Sequence, residues 1–219
     1  VRSNNPLLLK NFGTESVWSY EAGIRSEFLD RRATANLTVF FGDTSNLQIA
    51  TAVANPGGAP VFPVGNFSDF ESSGAELETN FLVTDGLTVF ANAGYNKTEY
   101  MNPTAEVLTQ QAACVASIAA GATARPNCAA GIIRADGGIA RPLRAPEFTG
   151  TLGFSWEKPV SNDYQVVLSG SGRFVSKFNV NSAELATTRD PGYSLVSGSF
   201  AFERQDGKLQ FSVTEPLTE

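Results

Sequence analysis

Apolar and polar residues alternate with a period of two along most of this chain, and the connections between the alternating runs are short and long by turns. Val17 to Leu29 sets Tyr20, Ala22, Ile24 and Phe28 against Glu21, Arg25 and Glu27. A short "DRR" turn leads into Ala33, Ala35, Leu37, Val39 and Phe41, which alternate with Thr34, Asn36 and Thr38. The Gly/Pro-rich stretch 54–66 predicts a loop. A hairpin over about 67–100 follows, turning at "TDG", with Ala75, Leu77, Val89, Ala91 and Ala93 on one face and Glu76, Glu78, Asn80 and Asn92 on the other. Residues 101–144 lose the alternation, and the Ala-rich "VLTQQAACVASIAAGATA" suits a short helix. Strands resume at Phe148, turn at "SNDY", and run on through Val166, Leu168 and Phe174 opposite Ser169, Ser171 and Arg173. A loop over about 182–192 closes with "RDPG"; a strand over Tyr193–Glu203, the "RQDGK" turn and a last strand with Leu209, Phe211 and Val213 complete the pattern.

That is an all-β chain of about eight strands, and strictly alternating connections put every short turn at one end and every long loop at the other. Antiparallel up-and-down transmembrane β-barrels have this order, with short periplasmic turns and long extracellular loops. Soluble β-sandwiches, whose connections cross over, rarely keep it. The 219 residues carry 42% hydrophobic and only 17% charged side chains, against roughly 25% charged in ordinary globular domains. In a barrel the apolar face meets lipid, where an Arg or Lys at the midplane costs about 2–4 kcal/mol. Glu21, Arg25, Glu27, Asn36, Glu76, Glu78, Asn80, Asn92 and Arg173 are therefore expected on a polar lumen wall. Arg25, between Glu21 and Glu27, is expected in a cross-strand ion network. Tyr20, Phe41, Tyr95, Trp156 and Tyr193, near strand ends, suit an interfacial girdle, with ordinary core packing as the alternative.

Catalysis has no supporting feature. The chain has no histidine, the commonest general base and metal ligand. Cys114 and Cys128 sit in one loop-like region and favour a loop disulfide in an oxidising compartment, the alternative being two free thiols. A metal site lacks further Cys or His ligands, and no cofactor is expected. Glu76 and Glu78 have an acid/base spacing, but two residues along one strand face read better as hydrated wall. "GSGRF" from Gly170 to Phe174 precedes no helix, so it is no phosphate loop; small residues there suit a strand beneath a close neighbour. "NLT", "NFS" and "NKT" match a glycosylation pattern, but two of them fall in predicted strands. The net charge of −6 disfavours nucleic acid, and no apolar run is long enough for a transmembrane helix.

"ESVWSYEAGIRSEFLDRRATANLTVFF", "SSGAELETNFLVTDGLTVFANAGYNKTEY", "LRAPEFTGTLGFSW", "PGYSLVSGSFAFE" and "KLQFSVTEPLTE" resemble, in this order, hairpins of TonB-dependent outer-membrane receptors. The resemblance covers nearly the whole chain. It implies residues 1–219 as a partial receptor barrel, the C-terminal part without its last strand, since family barrels have about 22 strands and end on an aromatic, whereas this sequence ends at Glu219 and has Pro216 where an Asn is common. It also implies location in the outer membrane of a Gram-negative bacterium. The partners implied are outer-membrane lipid, the receptor's own plug domain, the TonB complex and a scarce small solute such as a ferric siderophore. The basic residues of the long loop, Arg125, Arg134, Arg141 and Arg144, are the candidates for ligand contact, the alternative being solvation or lipopolysaccharide phosphate. A passive pore and a soluble β-sandwich binding module are the competing readings.

Overall fold

The computed structural model describes residues 11–50, 63–204 and 210–218, the last of these for backbone alone. Its strands are β1 (Ser16–Phe28), β2 (Ala33–Ala50), β3 (Val64–Thr84), β4 (Leu87–Met101), β5 (Phe148–Pro159), β6 (Tyr164–Asn179), β7 (Arg189–Arg204) and β8 (Gln210–Thr218). They form a single antiparallel sheet in chain order, an up-and-down meander of eight strands. Residues 29–32, 85–86 and 160–163 make short turns at one end. The 102–147 and 180–188 connections lie at the other. Residues 205–208 of the "RQDGK" turn, Leu209 and most of the Gly/Pro-rich stretch fall outside the described residues.

Local chemistry sets the turns. At Asp85-Gly86 the glycine has φ 87°, and a Cβ there would come 2.2 Å from the Glu157 carbonyl oxygen, so the tight "DG" corner requires glycine. Arg32 binds the other side of the same end, donating to the carbonyl oxygens of Leu82 (3.0 Å) and Val83 (2.6 Å).

The strands run further toward the long-loop end than the sequence pattern predicts. β3 begins at Val64, inside the stretch expected to be loop, and β7 begins at Arg189, so "RDPG" is strand. Turn chemistry is still present there: Asp190 Oδ1 accepts the Gly192 N–H at 2.9 Å and Gly192 has φ 87°. It bends the strand without ending it. The β2–β3 ladder slips between Thr44 and Gln48. Asp69 accepts the N–H of Asn46, whose φ is 57°, at 2.9 Å and holds this bulge.

Side chains directly opposite across a ladder share a face, so the register can be followed from strand to strand. Arg25, Asn36, Glu78, Asn92, Thr151 and Arg173 form a continuous row across β1 to β6. On the other face Ile24, Leu37, Leu77, Ala93, Gly150 and Phe174 form the parallel row. The apolar face is left uncovered, unlike that of a soluble sheet: Ile24 is 68% exposed, Leu152 61% and Phe174 51%. The polar face is open as well, with Arg25, Glu78, Asn92 and Arg173 exposed and Asn36, Thr38, Thr149 and Thr151 half-buried. Water disfavours the apolar face and a hydrocarbon phase favours it.

Aromatic rings mark both ends of this apolar face. Tyr20 lies opposite Phe41, and Tyr95 packs on Phe148 at 5.0 Å between centroids. Toward the short turns, Tyr164 stacks on Phe202 at 5.3 Å and Lys158 lies over the Trp156 ring. Tyr20 and Phe28 are about 26 Å apart along β1 at a rise of roughly 3.3 Å per residue, the scale of a barrel's apolar band. Tyr193, expected in the girdle, is opposite Val175 in the row of Glu76 and so belongs to the polar face; its place near a strand end carried no information about parity.

The most deeply buried apolar cluster lies in the long connection. The helix α1 (Ala105–Ala119) presents Val107 and Cys114 to Ile132, Ile133 and Ile49, with Leu47, Phe67 and Tyr100 beside them. Cys114 and Cys128 are joined by a disulfide. The loop is thus folded onto the extended ends of β2, β3 and β4.

Leu37→Arg in the full-length protein, refolded into lipid vesicles and unfolded with urea, is expected to lose about 2–4 kcal/mol of stability, and Thr38→Arg less than about 1 kcal/mol. Equal losses would contradict the assignment of the faces.

Candidate functional site

The polar face carries a track of grooves that climbs from the middle of the sheet to the long connection. Glu76, Glu78, Asn92, Thr149, Thr151 and Arg173 line the lower groove, of about 250 Å³. They come together because the register sets Glu78 beside Asn92 and Thr151 beside Arg173, with Glu76 one row nearer the loops opposite Thr38 and Gly94. The upper groove, of about 430 Å³, shares Glu76, Gly94 and Thr149 with it and adds Phe40, Phe70, Asn96 and Arg144. Asn80 is in the row of Glu27 and Thr34, nearer the short turns. Glu21 is opposite Phe40.

Small residues shape the track. Phe40 lies over Gly74 and Phe90 over Gly153, where a Cβ would come within 2.6 and 2.4 Å of the respective ring. Ser169–Ser199 and Ser171–Ser197 form hydroxyl pairs at 2.6 and 2.9 Å across β6 and β7. On the apolar face Gly170 sits beneath Phe154, at 2.8 Å for a built Cβ. All three glycosylation-pattern asparagines, Asn36, Asn66 and Asn96, lie in strands.

The expected ion network around Arg25 does not form among the described residues. Glu27 instead reaches Arg31 in the turn, at 3.9 Å. Arg25 and Glu27 share a face but stand two residues apart along an extended strand, about 7 Å, and Asn36 rather than an acid is opposite Arg25.

The loop arginines separate into three environments. Arg125 donates to the carbonyl oxygen of Ala122 at 2.8 Å, just past the end of α1. Arg134 and Arg141 converge on Glu184. The Glu184 side chain is only 6% exposed, accepts the Arg141 N–H at 3.2 Å and the Arg189 guanidinium at 2.6 Å, and has Arg134 at 4.0 Å. Burial pushes the Glu184 carboxyl up, but the Arg141 N–H and the Arg189 and Arg134 guanidiniums together hold it below its ordinary value. Arg134 also pairs with Asp136, whose carboxyl is lowered first by the Gly138 N–H. Arg141 lies 3.8 Å from Glu147. Arg141, Glu147, Glu184 and Arg189 line a cavity of about 340 Å³ that also takes in Lys97, Glu99 and Lys177. Arg144 alone of the four enters the upper groove.

Glu184, Arg189, Phe40 and Phe70 escaped the sequence reading. Glu184 is a solitary acid in a loop with no motif around it. Phe40 reads as polar-face only once its parity with Thr38 is followed. Among the described residues no cluster of acidic or sulfur ligands could hold a metal ion.

The family described as "TonB dependent receptor-like, beta-barrel" matches residues 2–214. The chain belongs to the TonB-dependent receptor β-barrel family. Members of this family are outer-membrane transport receptors, and the up-and-down sheet matches part of their barrel. Among solved structures, the chain is similar to the ferric yersiniabactin uptake receptor FyuA from Yersinia pestis, with a TM-score of 0.63 and 14% identity over 94% of this chain and 25% of that one. It is also similar to BauA, the ferric preacinetobactin receptor from Acinetobacter baumannii, with a TM-score of 0.57 and 12% identity over 90% and 24%. FpvA from Pseudomonas aeruginosa, solved with bound pyoverdines, matches with a TM-score of 0.53 and 17% identity over 94% and 23%. The chain thus spans about a quarter of the length of these receptors, and the likeness is one of fold.

Because the folded carboxyl of Glu184 titrates below the ordinary 4.5, its contribution to loop stability is fully present above that value and is lost as pH falls through the depressed one. Hydrogen exchange of the 102–147 and 180–188 connections in the full-length receptor, corrected for intrinsic rates, is expected to quicken as pH falls below the ordinary carboxylate value of 4.5. Glu184→Gln should remove most of that pH dependence and cost about 1–2 kcal/mol of local stability at neutral pH. An unchanged pH profile in the variant would contradict the role given to Glu184.

Proposed function

We propose that this chain supplies wall and external loops to an outer-membrane receptor that takes up an iron–siderophore complex with energy delivered through TonB. The observation that carries the proposal is the pairing of an exposed apolar face with a polar track beneath a disulfide-closed loop. The apolar face meets outer-membrane lipid. Glu21, Arg25, Glu27, Asn36, Glu76, Glu78, Asn80, Asn92 and Arg173 line the lumen and hydrate it, and the receptor's plug domain sits against that wall. The long-loop end faces outward and receives the cargo, with Arg134 and Arg141 held beside it through Glu184.

The work is binding and passage rather than bond chemistry. A rigid loop-end site holds a dilute solute tightly because little is left to order on binding. Release then needs a change in the plug, which a TonB-linked partner drives. The sheet described here is the static part of that cycle.

The full-length receptor, expressed in a strain stripped of its other ferric-siderophore receptors, is expected to accumulate radioiron from a panel of ferric siderophores only when TonB is intact. Uptake that is indifferent to TonB, or open-channel conductance of the intact protein in planar bilayers, would overturn the reading in favour of a passive pore.

A further inference from the structure

Arg144 stands apart from the other cations of the long-loop end. Arg134, Arg141 and Arg189 each have a carboxylate partner, whereas no carboxylate among the described residues pairs with the Arg144 guanidinium. Its backbone is held at φ 56°, a left-handed conformation that is strained for a non-glycine residue. The Arg144 N–H donates to the Asn179 carbonyl oxygen at 2.6 Å and ties it to the end of β6.

The groove that Arg144 enters has two aromatic walls. Phe40 rests over Gly74, and Phe70 is held edge-to-face by Tyr100 at 6.5 Å and 61°. Phe40, Phe70, Asn96 and Thr149 all belong to the polar face by register, so rings and cation open onto the same space.

We infer that Arg144, Phe40 and Phe70 form a specificity-determining subsite for an anionic aromatic chelate, one that binds iron through catecholate or phenolate rings. The inference rests on the receptor function proposed above. A planar guanidinium stacks on or hydrogen-bonds to the aryl oxygens, and the phenylalanine rings pack against the aryl faces. A neutral aliphatic chelate uses neither. Glu76, on the floor of the groove, repels anions from below and keeps such a ligand at the Arg144 level.

The test uses the full-length receptor in detergent and titration calorimetry with two probes: an iron(III) tris-catecholate trianion and a neutral iron(III) trihydroxamate. Arg144→Gln is expected to weaken the tris-catecholate roughly 10–100-fold and to leave the trihydroxamate within about twofold. Arg144→Lys should fall between, since it keeps the charge without the planar fork. Arg144→Gly, which relieves the positive φ, should show the same loss as Arg144→Gln and separates ligand contact from misfolding. Arg31→Gln, in the turn at the far end, should bind both probes as the parent does. Equal loss for both probes, or none for the tris-catecholate, overturns the inference. Binding of the trihydroxamate alone by the parent overturns it too but leaves the receptor reading intact. Binding of neither probe overturns the inference, and TonB-dependent radioiron uptake from the siderophore panel then decides the receptor reading separately.

Discussion

Cross-strand registration is the constraint on which the rest of the structure depends. In an antiparallel ladder every directly opposed pair shares a face, so a shift of a single residue between two strands would exchange faces for everything beyond it. Through the middle of the sheet no shift occurs. The row from Arg25 to Arg173 and the row from Ile24 to Phe174 run side by side without exchanging faces. Glycines placed under large rings, Gly74 under Phe40 and Gly153 under Phe90, let neighbouring strands keep that register despite bulky side chains. Irregularities are found nearer the strand ends, at Thr44–Gln48 and Leu82–Thr84.

The sheet divides its labour between faces and between ends. One face is apolar and exposed, a poor surface for water and a good one for lipid. The other carries the polar track. At one end Arg32 and the Asp85-Gly86 corner make tight turns. At the other, the strands overrun and the connections build their own core around Val107, Cys114, Ile132 and Ile133. That core gives the loop a fixed shape from which Arg141 and Arg144 are presented. Glu184, in the 180–188 connection and paired with Arg189, meets Arg134 and the Arg141 N–H of the 102–147 loop and locks the two connections together.

The central part of this architecture was legible in the sequence because strand parity is local. A residue two positions away reports the same face, so Glu76 and Glu78, or Leu37 and Val39, announce themselves together. Turn chemistry at "TDG" and "SNDY" was equally local, and so was the helix within the Ala-rich stretch. What was not legible depends on distance along the chain. Tyr193 sits near a strand end but on the polar face, which only its pairing with Val175 reveals. "RDPG" has the composition of a turn, yet pairing with β6 carries the strand through it. The convergence of Arg134 and Arg141 on Glu184 could not be read because Glu184 lies more than forty residues away, and attraction between charged side chains leaves no periodic signature. For the same reason the loop arginines looked equivalent, although their surroundings distinguish Arg144 from the rest.

The central claim is that the apolar face, not the polar one, meets hydrocarbon. Site-directed spin labels placed one at a time from Phe148 to Trp156 in the full-length receptor, reconstituted in lipid bilayers, test it most directly. The account predicts a period-two accessibility pattern: labels at Phe148, Leu152, Phe154 and Trp156 relaxed by dissolved oxygen, and labels at Thr149, Thr151 and Ser155 relaxed by a water-soluble nickel chelate. The opposite phase, or water-soluble relaxation at every position, would contradict it.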